Sequence, residues 1–118
     1  MASTSSEHTV RLAARAALEK KAAGLVVLDL QGISGVADFF LVCSAQSSTQ
    51  IDTIADAIQV ALKAAGVRAR HREGTAKSGW LLLDYGDVVV HVFADATREF
   101  YALERLWGDA PVLSVEGS

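Results

Sequence analysis

Gly79-Trp80-Leu81-Leu82-Leu83-Asp84-Tyr85-Gly86-Asp87-Val88-Val89-Val90-His91-Val92-Phe93 consists of two apolar runs held apart by three turn-forming residues. Gly-Asp is a favourable pair for a tight hairpin, so residues 80–84 and 88–93 read as antiparallel strands joined through Tyr85-Gly86-Asp87. Alternate side chains of an extended strand share a face. Trp80, Leu82 and Asp84 therefore lie on one face and Leu81 and Leu83 on the other, so that both faces carry large apolar groups. Two arrangements satisfy this pattern. Either helices cover the sheet on both sides, or one side stays open and Trp80, Leu82 and Tyr85 form an aromatic patch for a protein partner.

Immediately upstream, Arg68, Arg70 and Arg72 alternate with Val67, Ala69 and His71, so an extended strand here turns three arginines to one face. Such a strand belongs at a sheet edge, where charge discourages further pairing. With Lys77 the arginines form a basic cluster that suits either solvent or the phosphates of RNA or an acidic partner. Downstream, Asp95 is placed to cap a last helix in which Phe100, Leu103 and Trp107 repeat at helical spacing, and Gly108 with Pro111 stops it. Those three residues are expected in the core. Tyr101, Glu104 and Arg105 point elsewhere and remain available for contacts.

Toward the amino terminus, Val10, Ala14, Ala17 and Leu18 mark one face of a helix over residues 7–22, which Gly24 is expected to end. Leu25-Val26-Val27-Leu28-Asp29-Leu30 is a continuous β-prone run, the pattern of a strand covered on both faces. Residues 31–37 are rich in Gly and Ser and read as a turn, after which Asp38 leads into a second strand over 39–44, antiparallel to the first. Ser47 followed by Gln50 fits a capping box, and Ile51, Ile54, Ile58 and Leu62 form the stripe of a second helix ending near Gly66. The order αββα followed by βββα predicts an α/β (α+β) fold with a mixed sheet of about five strands packed with three helices. Residues 1–6 are small and polar, as are the last residues after Val115, and 1–6 and 113–118 are expected to be loose tails around one domain at 7–112.

A chain of 118 residues with 51% hydrophobic content can build a core without disulfide or metal staples. Cys43 is the single cysteine and lies in an apolar run, which reads as a buried thiol of a reducing compartment. No apolar stretch approaches the ~20 residues of a membrane span and no hydrophobic block of secretory type opens the chain, so a cytoplasmic location is expected. A net charge of -3 argues against coating nucleic acid by charge alone. His8, His71 and His91 lack ligand spacing, and no metal site is expected. Gly32-Ile33-Ser34-Gly35-Val36-Ala37-Asp38-Phe39-Phe40 is similar to a nucleotidyltransferase motif, but those enzymes hold two metal ions with acids two residues apart, and here the second position is Phe40. Asp38 alone does not make that clamp and reads as a turn or capping acid. With no Gly-Lys-Ser/Thr phosphate loop either, no catalytic residue and no cofactor are expected. A non-catalytic binding factor, a nucleotidyltransferase-like enzyme and a dimeric adaptor are the classes that stand.

Three segments in order carry a resemblance: Ala37-Asp38-Phe39-Phe40-Leu41-Val42-Cys43-Ser44, the hairpin segment 79–93, and Phe100-Tyr101 with Leu103-Glu104-Arg105-Leu106-Trp107-Gly108-Asp109. Together they resemble the ribosomal silencing factor family, also called Iojap or YbeB-like, over about residues 7–112. The resemblance implies a nucleotidyltransferase-like topology without the catalytic acids, and no enzymatic activity. It implies binding to large-subunit ribosomal protein fourteen on the face that meets the small subunit. A factor seated there blocks subunit joining and lowers translation when nutrients are scarce, and organellar relatives imply a part in large-subunit assembly. The partner surface so implied is Trp80, Leu82, Asp84 and Tyr85, with His91 on the paired strand and Tyr101, Glu104 and Arg105 on the last helix. A homodimer when free is implied as well; whether its surface overlaps the ribosomal one stays open. A local contact to ribosomal RNA through Arg68, Arg70, Arg72 and Lys77 stays open.

Overall fold

In the computed structural model, which describes residues 5–32, 35, 37–95 and 111–113, Ser5 accepts a hydrogen bond from the His8 amide and caps helix α1 (Ser6–Glu19). The buried face of α1 is Thr9, Val10, Ala13, Ala14, Ala16 and Ala17, which takes in Val10, Ala14 and Ala17 of the predicted stripe, while Leu18 is half-buried. Gly24 does not end the helix. Lys21 takes φ 68°, and the Lys21 and Ala22 amides donate to the Leu18 and Ala17 carbonyls, a Schellman closure with lysine where glycine is usual. Gly24, at φ 55°, falls instead inside the register shift between Ala23 and Val26 of strand β1 (Ala23–Asp29), where a bulge needs it.

β1 pairs antiparallel with β2 (Phe39–Ala45), as expected. Ser47 then accepts from the Gln50 amide at 3.1 Å and caps α2 (Ser48–Ala64). The Gln50 side chain accepts from the Gln46 amide at 2.7 Å and donates to the Lys20 and Lys21 carbonyls at 3.2 and 3.1 Å. One side chain thus satisfies orphan groups at the start of α2 and at the end of α1. Gly66, at φ 86°, closes α2 in the same Schellman pattern, its own amide on Lys63 and the Val67 amide on Leu62.

The remaining strands are β3 (His71–Thr75), β4 (Trp80–Asp84) and β5 (Val88–Ala94), with β4 and β5 forming the hairpin read from the sequence. The sheet order is β1-β2-β5-β4-β3, with β2 and β5 parallel and the other pairs antiparallel. This is the mixed five-stranded α+β sheet that was expected. One correction applies. The strand predicted over the three arginines begins later, so Arg68 and Arg70 lie in the irregular stretch before β3 and only Arg72 is in it. The helix predicted after Asp95, with Phe100, Tyr101, Leu103, Glu104, Arg105 and Trp107, falls outside the described residues.

Both described helices lie on one face of the sheet. Ile51, Ile54, Ile58 and Leu62 of α2 and the alanines of α1 pack on Val27, Phe39, Leu41, Cys43, Leu81, Leu83, Val90 and Val92. Each fully buried aliphatic or aromatic side chain of this set contributes roughly 1.5–3 kcal/mol. The opposite face carries a smaller cluster of Leu28, Leu30, Ala37, Phe40 and Val89, with Val26 and Leu82 against it. The outer edge of β1 is covered by residues 111–113, where the Asp29 amide donates to Pro111 at 2.8 Å and the Leu113 amide to Val27 at 2.9 Å. The other edge is β3, all five of whose residues are exposed. Asp38, at the entry to β2, accepts a hydrogen bond from the Ser6 hydroxyl at 2.8 Å and so anchors the first turn of α1, a structural task of the kind its sequence context suggests.

Candidate functional site

The face opposite α1 and α2 is crossed by a row of rings drawn from three strands. Antiparallel register sets Trp80 against Phe93 and Leu82 against His91, and parallel register brings Phe40 of β2 beside them. The Trp80 indole lies nearly parallel to Phe93, with centroids 5.4 Å apart and planes at 21°. Phe40 meets His91 at 4.8 Å with tilted planes. The Trp80 Nε1–H donates to His91 Nδ1 at 3.2 Å. His91 is 4% exposed, and burial pushes its imidazole down to about 4, so at neutral pH it is the uncharged acceptor that this hydrogen bond requires.

Trp80, Leu82 and Asp84 are half-buried and share this face, as the period of two predicted. Beside them a pocket of 270 Å³ is lined by Glu73, Gly74, Ser78, Trp80 and Leu82. Gly74 has φ 79°, and a Cβ there would run into the Trp80 carbonyl oxygen, so glycine lets β3 lie close against the start of β4. Asp84 is partly committed: its carboxylate accepts from the Gly86 amide at 2.7 Å and shapes the hairpin turn.

Tyr85 is not part of this patch. It packs on the helix-side core, and its hydroxyl is buried with no hydrogen-bond partner among the described residues. Burial raises its pKa to about 12, against a smaller lowering by the Arg72 charge. The patch expected from Trp80, Leu82 and Tyr85 is thus built from Trp80 and Leu82, with the rings of His91, Phe93 and Phe40 beneath. Phe93, Phe40 and Glu73 were missed. For Phe93 the signal was present, because it shares the alternation of His91, whereas Phe40 joins only through the parallel β2–β5 pairing.

The basic cluster divides. Arg72 turns to the helix side and donates to Asp56 at 2.8 Å, Gln59 at 2.6 Å and Asp52 at 3.3 Å, tying the edge strand to α2. Arg70 lies against Gly86, where a Cβ would stand 3.0 Å from its Cζ. Arg68 lines a separate 250 Å³ pocket with Gln59, Lys63 and Tyr85, and Lys77 is exposed in the β3–β4 turn. Tyr101, Glu104 and Arg105 lie outside the described residues. Among the described residues no cluster of three His, Cys, Asp or Glu is placed to hold a metal ion, and no helix is long and apolar enough to cross a membrane.

Fold and surface together define a small α+β domain with one sheet face under helices and a ring-lined apolar patch on the other. Two solved structures share that fold over nearly their whole lengths. A protein from Chromobacterium violaceum matches with a TM-score of 0.85 and 32% identity, covering 98% of this chain and 95% of that one. One from Bacillus halodurans matches with a TM-score of 0.80 and 38% identity, covering 92% and 99%. The family model described as ribosomal silencing factor during starvation matches residues 3–118. Ribosomal silencing factor RsfS of Halalkalibacterium halodurans is 42% identical over 113 residues, 96% of this chain and 97% of that protein. The chloroplastic protein Iojap of Zea mays is 37% identical over 82% of this chain and 42% of its own length. The chain belongs to the ribosomal silencing factor family, a family of translation regulators associated with the ribosome.

Proposed function

We propose that this chain binds the large ribosomal subunit in the cytoplasm through ribosomal protein fourteen, on the face that meets the small subunit, and blocks subunit joining by occupying that face. The mechanism is steric and uses no chemistry of its own. The observation that carries the reading is the half-exposed Trp80–Leu82 patch, set on the sheet face opposite α1 and α2 and bordered by a pocket. Tryptophan gives large contact area at little conformational cost, and such residues at the centre of an interface dominate its energetics. Glu73 and Asp84 add negative charge to the same face, which suits a basic ribosomal protein.

The same patch gives a free chain a reason to pair with itself, because exposed apolar area is unfavourable in water. A homodimer through this face, exclusive with ribosome binding, follows from that reading. Any contact to ribosomal RNA falls to Arg68, Arg70 and Lys77, since Arg72 is already paired with α2. The test is titration calorimetry of the chain against purified ribosomal protein fourteen. Trp80→Ala is expected to weaken binding by about tenfold or more, the 1.4 kcal/mol scale of an interface anchor. Equal affinity of variant and wild type contradicts the placement of the surface. Trp80→Glu is expected to give a monomer that also fails to bind, and a fully dimeric non-binder contradicts the shared face.

A further inference from the structure

We infer that His91 is a positioning residue for the partner surface, holding the Trp80 indole in the one orientation that faces the partner; the inference rests on the reading of that surface given above. His91 is 4% exposed, so it offers a partner almost no area of its own. Its contact with the surface is through Trp80. The indole is fixed in two ways at once, its plane by stacking on Phe93 at 5.4 Å and its edge by the Nε1–H bond to His91 Nδ1 at 3.2 Å. Stacking alone leaves the ring free to slide or flip over Phe93. Either motion carries the N–H away from Nδ1, so the hydrogen bond selects a single side-chain conformation.

The state of His91 is what makes this a dedicated arrangement. A neutral imidazole that accepts at Nδ1 carries its proton on Nε2. Nε2 is buried and has no hydrogen-bond partner among the described residues. An unpaired buried donor is unfavourable, and a purely apolar ring among Phe40, Phe93 and Leu82 would avoid it. What histidine adds over such a ring is an acceptor at the δ1 position, and the group it serves is the Trp80 indole. The same geometry explains why the patch is built on a tryptophan whose position is set from beneath, by β5, rather than by its own strand.

Two variants of the full chain separate the roles. His91→Phe keeps a ring and loses the acceptor, whereas His91→Asn loses the ring and keeps an oxygen acceptor where Nδ1 stood. The readouts are solvent exchange of the indole N–H in nitrogen–proton spectra, with the Trp80 signal identified by its loss in Trp80→Phe, and affinity for the large subunit. In His91→Phe the Trp80 indole proton is expected to exchange about tenfold faster, and affinity to fall about tenfold, the effect of one hydrogen bond. His91→Asn is expected to restore both, while His91→Phe melts no lower than wild type. Unchanged exchange in His91→Phe overturns the inference. If neither variant folds, the nitrogen shifts of wild-type His91 decide: a proton on Nε2 is expected, and one on Nδ1 overturns the proposal. A wild-type chain that ignores the large subunit overturns the proposed function instead, and the exchange rates of the free chain still decide the role of His91.

Discussion

Burial of His91 beneath the ring row makes the stability of the chain depend on pH. Its folded value of about 4 lies below the ordinary 6.5, so between these the unfolded chain takes up a proton that the folded chain refuses. The stability tied to the neutral imidazole is whole above pH 6.5 and is lost as pH falls toward 4, by roughly 3 kcal/mol across that window. Denaturant melts of wild type and His91→Phe over that range should diverge, with the variant the flatter, and parallel curves would contradict the burial. At this scale the sequence was partly legible. Alternation along one strand placed Trp80, Leu82 and Asp84 together without any tertiary information. Tyr85 was misplaced because it begins the turn, where the period of two stops applying, and its ring follows the chain to the helix side. His91 was read as a contact residue because its burial depends on Phe40, 51 positions earlier, a distance no local pattern spans.

Secondary-structure elements here are set mainly by their ends. Lys21 holds a left-handed conformation at the closure of α1, which strains a residue with a Cβ. Lys21→Gly should therefore raise the unfolding free energy by about 0.5–1 kcal/mol, measured by urea melts, and a loss of stability would mean that the lysine side chain contributes more than its strain removes. The reverse case is Gly74, whose added Cβ would meet the Trp80 carbonyl oxygen, rigid backbone rather than a flexible side chain. Gly74→Ala should destabilise by about 2 kcal/mol or more and speed amide exchange in β3 and β4, and an unperturbed β3–β4 pairing would contradict the close approach. Ser47 with Gln50 and the 80–93 hairpin were legible because caps and tight turns are local chemistry. The end of α1 was not, because a lysine at the C′ position gives no signal of its own. The arginine strand was shifted for a tertiary reason: Arg72 is held by Asp52, Asp56 and Gln59, and pairing with β4 begins where that clamp sets it.

Taken as a whole molecule, the chain packs its described helices on one face of its sheet, and the other is the face proposed above to meet a partner. α1 and α2 cover the first, residues 111–113 seal the edge at β1, and the exposed residues of β3 guard the opposite edge with charge. The ring row leaves Trp80 and Leu82 half-buried on the second face, with the Trp80 indole stacked on Phe93 and hydrogen-bonded to His91. The fold class and strand count were legible from the order of elements, since each apolar face had to be covered. Which face the helices take was not, because Leu81 and Leu82 are equally apolar and nothing in the alternation tells the two sides apart. The most direct measurement is sucrose-gradient sedimentation of purified large subunits with the chain added before the small subunits, comparing wild type with Trp80→Ala. Wild type is expected to move with the large subunit and suppress the joined ribosome while the variant stays at the top of the gradient; joined ribosomes forming undiminished with wild type present would contradict silencing through this face.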